Sequence, residues 1–221
     1  MRPLVIIAGD SRLKHFPHIA GNDSANFLYD QKIIFQPGAK IADISPILVD
    51  FIKSIETDRL VVVKIAIGIN NLTKKRYNRH GEFELVLSDT SRRAILDAFS
   101  ALSNDIKPVH QKSVVTFCRI PICNFLKYNN LLYSKQRTIH RTLSDAYLIK
   151  LTDQLIEKIV KINQEIGISN SLEQLGITPH TASIDSNSLI CCPGKKPRLC
   201  PSTMYDGLHP TDKCAERWYR N

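Results

Sequence analysis

Apolar residues run without a break through "PLVIIAG" (3–9) and stop at a glycine. A run this short, with no polar alternation, predicts a strand buried on both faces. "RLVVVKIAIG" (59–68) and "SVVTFCRI" (113–120) have the same β-branched character, and "QKIIFQP" (31–37) has a weaker form of it, ended by Pro37-Gly38. Between these runs the apolar spacing changes to three and four. That spacing predicts amphipathic helices over "IADISPILVDFIKSI" (41–55), "DTSRRAILDAFSAL" (89–102) and "LSDAYLIKLTDQLIEKIVKINQEIG" (143–167). In the first of these, Ser45-Pro46 fits an N-cap with a first-turn proline; in the last, Ser144 fits the cap and Gly167 the terminator. Residues 11–20 predict a short helix. Beyond residue 168 the pattern weakens: "TPHTASID" predicts a short strand, "CCPGKKPRLCP" a loop, and "HPTDKCAERWYR" the start of a last helix.

Strands alternating with helices predict an α/β fold with a mainly parallel five-stranded sheet. With 221 residues and no internal repeat or low-complexity linker, the expectation is one domain over 1–221. In such sheets the active groups gather where loops leave the carboxyl ends of the strands. Gly9-Asp10-Ser11 follows the first strand, Gly38 the second, and Gly68-Ile69-Asn70 the third. The segment 120–140, after the fourth strand, is a candidate pocket wall.

Composition narrows the picture little. Apolar content of 43% and charged content of 23% are ordinary for a globular chain. No apolar run approaches the roughly 18–20 residues of a membrane span. The apolar run at the start is too short for a signal-peptide core, so the expected location is intracellular, in the cytoplasm, with the chain full-length or a domain of a longer one. The net charge of +9 suggests anionic partners. Its sources are scattered, in Lys74-Lys75-Arg76, Arg92-Arg93 and Lys195-Lys196 with Arg198. Solvated surface charge is the expected reading, with at most weak, non-specific binding to nucleic acid or anionic surfaces. Six cysteines include no CxxC pair, so buried or unbridged thiols are expected, with no metal and no cofactor.

The chemistry lies in the two ends of the chain. A serine hydroxyl is a poor nucleophile at neutral pH and needs an adjacent base. In "YDGLHP", His209 supplies an imidazole, and Asp206, three residues earlier, can fix its tautomer. The order Gly9-Asp10-Ser11, Gly38, Gly68-Ile69-Asn70, Asp206-x-x-His209 resembles the SGNH hydrolases, also called the GDSL lipase/esterase family, from residue 4 to about residue 212. The resemblance implies a three-layer α/β/α flavodoxin-like fold. It implies Ser11, Asp206 and His209 as the catalytic set, and Ser11, Gly38 and Asn70 as donors of the oxyanion hole. Its activity would be serine esterase or deacylase chemistry on a small ester or acylated substrate. No extended hydrophobic lid is evident in the sequence, which favours short acyl groups. Two positions depart from the family pattern. Asn71 stands where the family has Asp, a turn-stabilising position, and Arg12 follows the serine where the family has Leu. Arg12 is expected to point to solvent; the other reading is a bias of the pocket toward anionic substrates. The runner-up function is a nucleic-acid-associated SGNH-like module, like the esterase domains of LINE-type retrotransposons or the RNA-binding domain of Oskar, in which RNA or lipid-surface binding is the main role.

Overall fold

The computed structural model describes residues 1–14, 16, 28–136, 141–173, 206, 208–212 and 214–215. Strand β1 (Leu4–Gly9) is the inner reference for the rest. It pairs in parallel with β2 (Asp30–Phe35) on one side and β3 (Val61–Ala66) on the other, and β6 (Ser113–Phe117) pairs in parallel with β3. The order β2-β1-β3-β6 is therefore a four-stranded parallel sheet among the described residues. The candidate fifth strand in "TPHTASID" and the cysteine loop 191–200 lie outside the described residues.

Period-two alternation divides the sheet into two faces. Leu4, Ile6, Ala8, Val61, Val63, Ile65, Val115 and Phe117 belong to one apolar cluster. Helices α1 (Ile41–Lys53), α3 (Arg92–Ile106) and α5 (Asp145–Glu173) add to it Ile41, Ile44, Leu48 and Ile52, then Ile95, Phe99 and Leu102, then Leu148, Leu155, Ile159 and Ile162. Val5, Ile7, Ile33, Phe35 and Ala66 turn the other way, onto Leu13, Phe16, Cys118, Cys214 and Ala215. Of these, Leu13, Phe16, Cys214 and Ala215 are in helical conformation, and Cys118 follows β6.

Three expected helices differ in their bounds; the one expected over 89–102 runs Arg92–Ile106. α1 begins at Ile41, four residues before Ser45, and Pro46 lies inside it. Ile41, Ile44, Leu48 and Ile52 are all fully buried at helical spacing. Burial of that stripe fixes the start, and the Asp43 carboxylate closes it by accepting from the Lys40 N–H at 2.8 Å. α5 starts as expected, with Ser144 Oγ accepting from the Tyr147 N–H at 3.2 Å. It does not stop at Gly167 but continues to Glu173. Leu155, Ile159, Ile162 and Ile166 keep its seam in the core up to that glycine, and their packing outweighs the glycine's backbone freedom.

The sequence pattern also missed a hairpin. After the single helical turn α2 (Ile69–Leu72), β4 (Thr73–Tyr77) pairs antiparallel with β5 (Phe83–Leu87). Asn78 Oδ1 turns the chain between them by accepting from His80 N–H at 2.9 Å and Glu82 N–H at 3.1 Å. Lys74, Lys75, Arg76 and Tyr77 are exposed along β4, whereas Glu84, Leu85 and Val86 of β5 are buried.

Polar side chains anchor β5 to α4 (Phe125–Gln136) and to the start of α5. The Glu84 carboxylate accepts from Tyr133 Oη at 2.5 Å, Thr142 N–H at 3.0 Å and Leu143 N–H at 3.2 Å, and also from the Thr142 hydroxyl. Burial pushes this carboxyl's pKa up, but the Thr142 and Tyr133 hydroxyls and the two backbone donors outweigh it and hold the pKa below the ordinary glutamate value. Asn129, from α4, accepts from Leu85 N–H at 2.7 Å and donates to Leu85 O at 2.8 Å. Asn163, from α5, does the same for Ile120, at 2.7 and 2.9 Å. Each amide satisfies a buried peptide that the strands leave unpaired.

Candidate active site

Registers of the central strands bring the expected site residues to one edge. Gly9 is opposite Phe35 on one side and Ala66 on the other, so β1, β2 and β3 end level. β1 is also where the strand order reverses, the position at which open α/β sheets leave a crevice. Gly9 has to be glycine, because a Cβ there would stand 2.1 Å from Ala66 O.

Beyond Gly9 the backbone turns at once. Asp10 is extended, at φ −100° and ψ −167°, and caps a 3-10 turn over Ser11–Leu13. Leu13 N–H closes the turn on Asp10 O at 3.0 Å, and Asp10 Oδ1 accepts from Arg12 N–H at 3.1 Å. Ser11, first in the turn, holds its Oγ 3.1 Å from Nε2 of His209, 198 residues away in sequence.

The tail delivers His209 in a tight turn of its own. Asp206 Oδ1 accepts from Leu208 N–H at 2.9 Å and His209 N–H at 2.7 Å, leaving Oδ2 to meet His209 Nδ1 at 2.7 Å. Burial pushes the Asp206 carboxyl's pKa up, but the bonds from the His209 ring, the His209 N–H and the Leu208 N–H hold it below the ordinary aspartate value. An ionised carboxylate only accepts, so Nδ1 carries the ring proton and Nε2 is left to accept from the Ser11 hydroxyl. Thr211 then starts a helical turn, its carbonyl accepting from Ala215 N–H at 2.8 Å.

The second and third blocks are joined to each other. Gly38 has φ 75°, where glycine is favoured, and a Cβ built on it would find nothing within 4 Å. Its backbone face is therefore open. Gly68, at φ 126°, begins α2, and a Cβ there would stand 2.7 Å from Ile120 Cδ1, the residue clamped by Asn163. Asn70 Nδ2 donates to Ala39 O at 3.0 Å, which ties the third block to the loop carrying Gly38. Asn71 bonds elsewhere. Its Oδ1 accepts from Ile41 N–H at 3.0 Å, capping the start of α1 from another loop. The role expected for the position is to stabilise its own turn; the bond instead reaches Ile41, 30 residues away.

Arg12 differs from expectation. It does not point to solvent but is 3% exposed. Its Nε donates to Asp10 Oδ1 at 2.8 Å and its Nη2 to Asp10 Oδ2 at 2.6 Å. A pocket bias toward anions loses its basis too, since the guanidinium is neutralised by its neighbour. Cys123, one of the six cysteines expected to be buried or unbridged, is fully buried ahead of α4. Burial raises its thiol pKa, the Asp206 charge raises it further, and the Arg12 charge opposes this. Further along segment 120–140, α4 carries the Asn129 clamp on the hairpin.

No family model matches the chain, and no curated protein sequence matches it. Solved structures do. A GDSL-like lipase from Bacteroides thetaiotaomicron gives a TM-score of 0.60 at 13% identity, covering 98% of this chain and 84% of that one. A member of the lipolytic G-D-S-L family from Veillonella parvula gives 0.60 at 9% identity, over 98% and 94%. A mutant of Axe2, an acetyl-xylooligosaccharide esterase from Geobacillus, gives 0.52 at 13% identity, over 99% and 91%. Strand order, helical layers and these likenesses agree: the chain has the fold of the SGNH/GDSL hydrolases.

Proposed function

We propose that the protein is a serine hydrolase that cleaves carboxylic esters of short acyl groups. The observation that carries this reading is the unbroken hydrogen-bonded relay from Ser11 Oγ through His209 to Asp206, at 3.1 and 2.7 Å, at the carboxyl end of β1. Ser11 Oγ attacks the ester carbonyl carbon while its proton passes to His209 Nε2. Asp206 keeps the ring oriented and stabilises the imidazolium. The tetrahedral oxyanion is met by the N–H groups of Ser11 and Gly38 and by Nδ2 of Asn70. Collapse breaks the bond to the leaving alcohol, which takes the proton from His209. Water, deprotonated by the same nitrogen, then attacks the acyl-enzyme and regenerates Ser11.

A short acyl group is favoured by the absence of an extended hydrophobic lid in the sequence and by the acetyl esterase among the similar structures. A p-nitrophenyl ester series from acetate to palmitate tests both parts. Hydrolysis should be fastest at the short end and absent in Ser11→Ala, and a fluorophosphonate should label the native chain once, at Ser11. Labelling at another serine with Ser11 unmodified would refute the assignment. Association with nucleic acid is a second reading, favoured by the +9 charge and by the exposed Lys75 and Arg76 on β4. It is compatible with hydrolysis and is expected to be weak.

A further inference from the structure

Ser11 sits between two buried, oppositely charged neighbours that bind each other. Asp10 is 1% exposed and Arg12 3%. Two parallel bonds, Nε to Oδ1 at 2.8 Å and Nη2 to Oδ2 at 2.6 Å, make the pair a fork meeting a carboxylate face-on. A third bond, from Arg12's own backbone N–H to Oδ1 at 3.1 Å, ties the same carboxylate to the main chain. Together with the backbone from Asp10 to Arg12, these bonds close a ring with Ser11 at its middle. The torsions inside that ring are those that aim the Ser11 Oγ and the Ser11 N–H.

Among the described residues the turn is also held by the Ser11–His209 bond and by buried Leu13. The turn has only three residues, and its backbone bonds are Leu13 N–H to Asp10 O at 3.0 Å and Lys14 N–H to Ser11 O at 3.2 Å. Arg12 Nη1 is buried and has no hydrogen-bond partner among the described residues. A buried ion pair is often no more stabilising than apolar side chains of the same volume. What the fork provides, and an apolar pair does not, is a fixed geometry.

We propose that Arg12 is a positioning residue for the nucleophile, acting through the Asp10 carboxylate to hold the Ser11 turn in its reactive conformation. The inference rests on the serine-hydrolase reading above and adds a residue to it. A hydroxyl displaced by about 1 Å can lose on the order of 10²-fold in rate while the substrate still binds. A lysine at position 12 keeps the charge but not the fork, and that makes it the informative replacement.

The experiment compares wild type, Arg12→Lys and the neutral double variant Asp10→Asn/Arg12→Met, all as the full chain. Each is checked for folding by circular dichroism and thermal melt. Active sites are then counted by fluorophosphonate, in which a bond forms from Ser11 Oγ to phosphorus as fluoride leaves. Finally kcat per titrated site and KM are measured on p-nitrophenyl acetate. Arg12→Lys should lower kcat per titrated site by about 10–10²-fold with KM within about threefold, and phosphonylation should slow by a similar factor. A purely structural role would lower the melting temperature and the number of titratable sites but leave each remaining site at wild-type speed, and that result overturns the proposal. Should Arg12→Lys fail to fold, the double variant decides by the same criterion. A wild-type chain that is not labelled at Ser11 overturns the serine-hydrolase reading itself and the proposal with it. Wild-type labelling at Ser11 with full speed in a folded variant overturns only the role of Arg12.

Discussion

Asn70 and Asn71 are adjacent, yet the structure gives them different roles, and replacing each by alanine separates them. Asn70 uses one amide hydrogen on Ala39 O, at 3.0 Å, and its amide has a second. If that second hydrogen meets the oxyanion, Asn70→Ala removes a donor worth about 10²–10³ in kcat, or about 2.7–4 kcal/mol of barrier, with KM little changed. Asn71 Oδ1 accepts from Ile41 N–H at 3.0 Å, and Ile41 is fully buried. Asn71→Ala therefore orphans a helix-start donor, for about 1–2 kcal/mol of stability, while kcat stays within a few-fold. In a chain of this size that is about 2–8 °C of melting temperature. Asn70→Ala also loses stability, since Ala39 O is left without its side-chain donor. Kinetics on p-nitrophenyl acetate must therefore be read with a thermal melt for each variant. A folded Asn70→Ala with near-normal kcat would refute the donor assignment. A 10²-fold kcat loss in Asn71→Ala would move the donor by one residue.

Glu84→Gln should destabilise the protein by about 2–3 kcal/mol at neutral pH, because the neutral amide is a weaker acceptor and turns its NH₂ group toward a donor. The folded-state pKa of Glu84 is lowered, so its contribution is present above the unfolded value, about 4.3, and is lost as pH falls through the folded one. Urea midpoints of wild type and variant should converge in acid; a gap that stays constant from pH 7 to pH 3 would contradict the linkage. For the basic surplus, heparin retention and RNA mobility shifts should be weak, indifferent to sequence, and lost between about 50 and 200 mM salt. Sequence-specific binding that survives physiological salt would favour nucleic-acid binding as the main role.

Much of the fold was legible because burial wrote it into the chain. β1 and β3 lie inside the sheet and are covered on both faces, so they read as short unbroken apolar runs. α5 kept its apolar spacing, and Ser144 marked its start. β4 was illegible for the converse reason: "TKKRY" is exposed at every position but Thr73, so no alternation announces a strand. Pro46 and Gly167 misled because local signals were outweighed by stripes packed into the core. At the site, Ser11, His209 and Asp206 could be picked out as residue types in order. That the structure brings them within hydrogen-bond distance is a tertiary fact. Arg12 was misread because an arginine two residues from an aspartate looks the same in sequence whether the pair is exposed or buried.

The Asn129 clamp bears on solubility. A two-stranded sheet has two edges, and each invites pairing with a strand from another molecule. On β5, the Leu85 N–H and C=O that would accept an incoming strand are occupied by one asparagine amide at 2.7 and 2.8 Å. On β4, exposed Lys74, Lys75 and Arg76 repel such a partner by charge. One edge is thus sealed from inside by a side chain and the other guarded from outside. The guard on β4 belongs to the strand itself, but the seal on β5 lasts only while α4 stays docked. Partial detachment of α4 would uncover "FELVL", an apolar strand with an open edge, before the central sheet is disturbed. Among the described residues, the protection of the hairpin's β5 edge therefore depends on the seat of one helix, away from the strand that leads into Ser11.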